Sequence, residues 1–149
     1  MINAAESPSW TENAKSNLVE KPNYKIAPDG EVDWYIYNGF RRYHAECHVC
    51  HGPDGEGSTF APSLLSSLRI MSYSQFRDII IRGSRSVGAG EQKVMRAMGD
   101  DPNVVCYLED LYVYLKARAD GALDRGRPRK YEPKPEAVRD SEATCMRRN

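Results

Sequence analysis

The sequence predicts an all-α fold, and three observations carry the prediction. Three segments place apolar residues at helical spacing between a capping residue and glycine, and no segment alternates apolar and polar residues as a half-buried strand would. One long irregular stretch holding two methionines lies between the second and third of these segments. Few helices and long connections describe a small fold that needs something besides its own side chains at its centre.

Taken in order, residues 1–31 are polar, rich in Asn, Ser, Pro and Lys, and read as an extended N-terminal arm. Asp33 then caps a helix in "DWYIYNGFRRYHAEC", with Ile36, Phe40, Tyr43 and Cys47 at helical spacing. Pro53 and the glycines of "HGPDGEGS" end it. A second helix is expected in "SYSQFRDIIIRG": Ser72 and Gln75 form a capping-box pattern and Gly83 stops it, which outweighs the strand-like isoleucine triplet. The stretch "SRSVGAGEQKVMRAMG", with Met95 and Met98, reads as irregular loop. Asp101 and Pro102 start the clearest helix, which runs to Gly121 with a stripe of Val104, Leu108, Leu111 and Leu115 and with Lys116 and Arg118 near its negative end. The organisation is thus an arm over 1–31, a domain over 32–121 and a charged, proline-punctuated C-terminal tail over 122–149 that lies on the domain surface.

At 149 residues the chain is one ordinary domain with extensions. Lys plus Arg and Asp plus Glu both number 21, which argues against a nucleic-acid binder working by phosphate neutralisation. No apolar run approaches the roughly 20 residues of a membrane span. The N-terminus "MINAAESPSW" lacks the basic region and apolar core of a secretion signal, which leaves a cytoplasmic protein or a mature exported one.

The chemistry concentrates in "AECHVCHGPDGEG". Cys47-His48-Val49-Cys50-His51 matches C-x-x-C-H, the attachment pattern for c-type haem. Two thiols one helical turn apart can each form a thioether to a vinyl group, and the next residue then directs its imidazole at the iron. His51 is the proximal ligand in this reading, and His44 and His48 are spare. A zinc site would use Cys47, Cys50, His44 and His51, yet these sit in one short segment, whereas structural zinc usually draws on separated pairs. A thioredoxin-like dithiol would need a β-α-β context that is absent from the pattern.

The sixth position decides between electron transfer and chemistry, because a thioether there favours ferrous iron and blocks access to it. One of Met95 and Met98 is the expected ligand; methionine is otherwise core filler. An open or weakly held sixth site would instead give a haem sensor or enzyme, and a zinc-stabilised interaction module would contain no iron.

At these residues the chain resembles a class I c-type cytochrome. The glycine eight and the aromatic four positions before the first haem cysteine are Gly39 and Tyr43, and the C-terminal Leu-x-x-Tyr-Leu is Leu111, Tyr114 and Leu115. The resemblance implies a class I cytochrome c fold around one covalent haem c, with its first and last helices crossing closely at Gly39. It also implies that the Pro62 carbonyl accepts a hydrogen bond from the proximal histidine; a plain turn residue is the alternative. The family's "MPxFG" reads "VMRAMG" here, so the resemblance implies Met95 as the ligand, and the departure of Arg96 for the proline leaves Met98 as the second choice.

Over residues 24–146 the chain is similar to the methanol-metabolism-related c-type cytochromes, through "VDWYIYNGFRRYHAECHVCHGPDGEGSTFAPSL", "DPNVVCYLEDLYVYLKARADGA" and the cysteine near the end. Those proteins accept electrons from periplasmic lanthanide-dependent, quinone-containing methanol dehydrogenases. The resemblance therefore implies a periplasmic, non-enzymatic electron carrier with such a dehydrogenase as donor and a downstream cytochrome or oxidase as acceptor.

Cys106 and Cys145 are expected to form a disulfide, because bacterial haem c attachment occurs where disulfides persist; two free thiols are the alternative. The sequence then reads as a mature periplasmic form with an added Met. Arg125, Arg127, Arg129 and Lys130 read as a solvated charge run, with a docking patch as the alternative.

Overall fold

The carboxylate of Asp33 accepts the Ile36 N–H at 2.8 Å and so starts the first helix, α1, Trp34–Glu46. The computed structural model describes residues 22–88 and 91–148, and most of the N-terminal arm, residues 1–21, lies outside them. The end of the arm is not simply extended. It turns back at Gly30, and Ile26 pairs antiparallel with Val32, which also pairs parallel with Tyr131 of the tail.

After α1 come the single turn α2, His48–His51, a 3-10 turn over Pro53–Gly55, and α3, Leu64–Ile70. The last was not anticipated, being only seven residues long; Ser63 caps it by accepting the Leu65 N–H at 3.1 Å. Helix α4, Tyr73–Arg82, has the full capping box, with Ser72 and Gln75 each satisfying the other's backbone N–H.

The expected irregular loop is in fact a β-hairpin. Strands β1, Ser84–Gly88, and β2, Glu91–Met95, pair antiparallel from Ser84 opposite Met95 to Gly88 opposite Glu91. The periodicity test misses it because no apolar alternation marks the segment; backbone pairing makes the ribbon. The last predicted helix is also divided. Asp101 caps α5, Pro102–Val105, the backbone leaves helical geometry at Tyr107 (φ −132°), and α6 runs over Leu108–Ala119. The tail does more than cover the surface: it pairs at Tyr131 and ends in α7, Glu136–Arg148.

Helix α6 is the centre of the fold, buried on nearly every face. It crosses α1 at Gly39, where an added Cβ would lie 2.1 Å from the Asp110 carbonyl oxygen and 2.6 Å from Tyr114 Cβ. Glycine is needed here for close approach, which outweighs its poor helix propensity. Tyr112 meets Tyr73 and Phe76 of α4 edge-on at 5.2 and 5.3 Å, and Lys116 donates to the Leu68 carbonyl of α3 at 3.2 Å. On the far side, a disulfide joins Cys106 to Cys145 and ties α7 to the α5–α6 junction. Glu142 strengthens that seat by accepting from the Tyr107 hydroxyl at 2.5 Å and pairing with Lys134.

Candidate functional site

The segment that carries the motif is shaped by where α1 stops. Cys47 takes the C-cap of α1, its N–H bonded to the Tyr43 carbonyl at 2.8 Å, and the Cys50 and His51 N–H groups return to the Cys47 carbonyl at 3.3 and 3.0 Å. The two thiols and the imidazole thus share one turn. Neither Cys47 nor Cys50 is in a disulfide; the first is half-buried, the second exposed. Burial, and then Glu46 and Cys50, push the Cys47 thiol up to about 12, so it is protonated at neutral pH.

His51 is lowered from its ordinary range by burial, which keeps the ring neutral, the form that ligates a metal. Its Nδ1 is enclosed without a hydrogen bond of full geometry. The Pro62 backbone acts against the effect of burial, a polar contact looser than a full hydrogen bond.

The chain leaves the motif through a locked turn. Gly52 has φ +76°, and a Cβ there would lie 2.3 Å from the Gly57 carbonyl oxygen. The Gly57 N–H closes onto the His51 carbonyl at 2.7 Å, the buried Tyr43 hydroxyl donates to the Gly52 carbonyl at 2.6 Å, and the Ser58 hydroxyl reaches the Cys50 carbonyl.

The two methionines differ. Met98 is a core residue, 9% exposed, and its N–H donates to the Ile80 carbonyl at 2.8 Å. Met95 ends β2, is half-buried and packs against the edge of the core. Gly83 brings that strand end against α4, since a Cβ on it would lie 2.7 Å from the Met95 carbonyl oxygen. The sequence reading saw Gly83 only as a helix stop.

His44, read as spare, has a structural task. Its Nδ1 donates to the Phe40 carbonyl at 2.9 Å and its Nε2 accepts the Asp54 N–H at 3.2 Å. Both nitrogens are engaged, which removes His44 from any four-ligand zinc set. No cluster of three or more His, Cys, Asp or Glu side chains suited to a metal ion occurs among the described residues.

Asp54 itself, 5% exposed and at φ 58°, is the hub of a polar knot that sequence reasoning missed. Its carboxylate accepts from the Tyr114 hydroxyl at 3.0 Å and the Gly126 N–H at 3.1 Å, and its carbonyl accepts from Arg118 at 3.2 Å. Burial alone would raise this carboxyl; the Gly126 N–H, the Tyr114 hydroxyl and the Arg118 charge hold it below its ordinary value. The knot joins the exit turn to α6 and the tail. Its one local signal was the Asp-Gly pair, a turn dipeptide whose first residue tolerates positive φ.

Two unpaired thiols, a neutral imidazole with an enclosed second nitrogen and a half-buried thioether suit a group attached through two sulfurs and ligated by one ring nitrogen. No helix among the described residues is long and apolar enough to cross a membrane.

Known proteins place these features in context. The chain is 48% identical over 141 residues to cytochrome c-553I of Paracoccus denitrificans, a match that takes in 94% of the chain and 62% of that protein's length. It is 38% identical over 96 residues to cytochrome c-555 of Methylococcus capsulatus, covering 64% of the chain and 72% of that protein. Its backbone matches the crystal structure of the c-type cytochrome XoxG from Methylobacterium extorquens AM1 with a TM-score of 0.79 and 52% identity, covering 85% of this chain and 77% of that one. No protein-family model matches.

Proposed function

The chain belongs to the c-type cytochromes, and from that premise we propose that it is a periplasmic mono-haem electron carrier. A bound haem c supplies a one-electron ferric/ferrous couple. Cys47 and Cys50 would hold it through thioethers, and His51 and Met95 would ligate its iron. The observation that carries this reading is the Cys47–His51 turn, where two thiols outside any disulfide share one turn with a neutral, half-buried imidazole.

The remaining residues hold the ligand set still. In this reading the Pro62 backbone, which acts on His51 against the effect of burial, orients the ring. The Tyr43–Gly52 bond and the Gly57–His51 bond fix the backbone on either side of the ligand. Burial of Met98 in the core leaves Met95 as the more available thioether.

The donor in this proposal is a lanthanide-dependent, quinone-containing methanol dehydrogenase, and the acceptor is a downstream cytochrome or oxidase. Its support is the similarity of residues 24–146 to the methanol-metabolism-related cytochromes. Mixing the haem-loaded protein with such a dehydrogenase and methanol should reduce the haem within the dehydrogenase's turnover time; no reduction removes the donor assignment. Met95→Ala should abolish the weak far-red sulfur-to-iron band of the ferric protein. Loss of that band in Met98→Ala alone would move the ligand to Met98, and rapid carbon monoxide binding by the reduced wild type would replace the carrier by a sensor or enzyme.

A further inference from the structure

The basic residues of the tail, read from the sequence as a solvated run, divide into two groups in the structure. Arg125 lies 3.6 Å from Asp54 and 3.2 Å from Glu56, and Lys130 lies 3.5 Å from Asp29. Arg127 and Arg129 have no carboxylate partner among the described residues, and neither has Arg41 of α1. All three are exposed. Arg41 and Arg127 meet at one ring, Tyr37, so two cations without a carboxylate partner among the described residues stand together on a chain with equal numbers of acidic and basic side chains.

These cations are held in place. Arg41 and Arg127 lie 5.7 and 5.2 Å from the centroid of one ring, that of Tyr37. Arg127 also donates to the Tyr37 hydroxyl, and Arg41 donates to Asn38 at 2.5 Å and sits 5.6 Å from the Trp34 ring. Tyr131 stacks on Tyr37 at 3.6 Å with the rings 6° from parallel. Guanidinia seated on aromatic rings keep free N–H forks for carboxylates and lose little freedom when they meet them. Tyr37 lies ten residues before Cys47 along α1, which puts this face about 15 Å from the haem attachment turn.

We propose that the Arg41–Arg127 face, built on Trp34, Tyr37 and Tyr131, is a docking surface for the carboxylate-rich face of a protein partner. It gives the carrier an electrostatic hold set apart from the attachment turn. Two charges on a chain of zero net charge are too few for a nucleic acid, whereas an arginine–tyrosine surface has the composition of a protein interface. The kinetic arm of the test rests on the carrier reading above; the binding arm does not.

In the binding arm, the reduced haem-loaded protein is titrated with poly-L-glutamate and followed by nitrogen-15 NMR at low salt. The Trp34 indole N–H and the amides of Tyr37, Arg41 and Tyr131 should shift first, and the shifts should collapse at roughly 0.2 M salt. Arg41→Glu with Arg127→Glu should weaken binding about tenfold or more, and the two Gln replacements serve if the charge reversals do not fold. Shifts centred elsewhere, shifts unchanged in the double variant, or a response only to anionic lipid vesicles overturn the proposal. In the kinetic arm, haem reduction by the methanol dehydrogenase at low salt should slow by roughly three- to tenfold in the double variant. Equal rates for both proteins refute the docking face and leave the carrier intact. If neither protein is reduced, the donor assignment fails and the titration decides the docking face.

Discussion

Replacing Gly39 by Ala tests the helix crossing on which the fold turns. The added methyl would lie 2.1 Å from the Asp110 carbonyl oxygen, 2.8 Å from its carbon and 2.6 Å from Tyr114 Cβ. Two of these atoms are helix backbone and cannot rotate away, so α1 and α6 must separate by roughly 1 Å against close packing. Overpacking of this kind costs about 3 kcal/mol, offset by about 1 kcal/mol from the better helix propensity of Ala. Separation also stretches the buried bond in which Asn38 donates to Asp110 at 2.7 Å, worth about 1 kcal/mol. The net loss is about 2 to 3 kcal/mol. Guanidinium unfolding of the haem-loaded protein, followed by far-ultraviolet circular dichroism, should show a midpoint lower by roughly 0.5 to 0.8 M for a slope near 4 kcal/mol/M. A midpoint equal to or above wild type would show that the crossing yields cheaply and that the glycine is not required for close approach.

Asp110 gives a pH prediction. Burial, against the lowering effect of the Asn38 bond, raises its carboxyl to about 7 from an ordinary 3.8. The folded state holds that proton more tightly, so this stabilisation is full below pH 4 and is lost as pH rises toward and through 7, by up to about 4 kcal/mol. Asp110→Asn should flatten the slope of stability between pH 4 and 7 and be more stable than wild type at pH 8; an unchanged slope rejects the assignment. Replacing Cys106 and Cys145 by Ser opens a loop with a sequence separation of 39, and the chain-entropy estimate is a loss of about 4 kcal/mol. Hydrogen exchange should quicken in α7 first, and uniform quickening across α1 and α6 would contradict the view of α7 as a separately tied element. Tyr43→Phe removes the donor to the Gly52 carbonyl and should cost about 1 kcal/mol, measurable as a fall in melting temperature with the haem spectrum retained.

What was legible in the sequence was what short-range chemistry dictates. The Asp33 cap, the Ser72–Gln75 box and the Asp101-Pro102 start all lie within three residues of the backbone groups they satisfy. The attachment motif was legible for the same reason, because two thioethers and an axial imidazole from one turn demand contiguous residues. The hairpin was hidden because its ladder is backbone pairing without an apolar period. The break at Tyr107 was hidden because apolar spacing continues across it from Val104 to Leu108. The knot at Asp54 draws on His44, Tyr114, Arg118 and Gly126, partners 10 to 72 positions away, and no local pattern announces such a meeting.

The two cysteine pairs also set a problem of biosynthesis. The proposed attachment needs Cys47 and Cys50 as reduced thiols, while the Cys106–Cys145 bridge needs the other two oxidised. Four cysteines allow three fully paired arrangements, and a disulfide involving either motif cysteine would block attachment there. The finished fold separates the pairs chemically as well as spatially. In the folded chain before attachment, burial pushes the Cys47 thiol up to about 12, so it supplies almost no thiolate for exchange at neutral pH, and once it is a thioether it supplies none. The hazard therefore belongs to the nascent chain, in which all four thiols have ordinary acidity. Haem loading and tail closure are competing claims on one pool of sulfur, and the yield of correctly assembled protein should depend on the redox poise of the compartment where the chain matures.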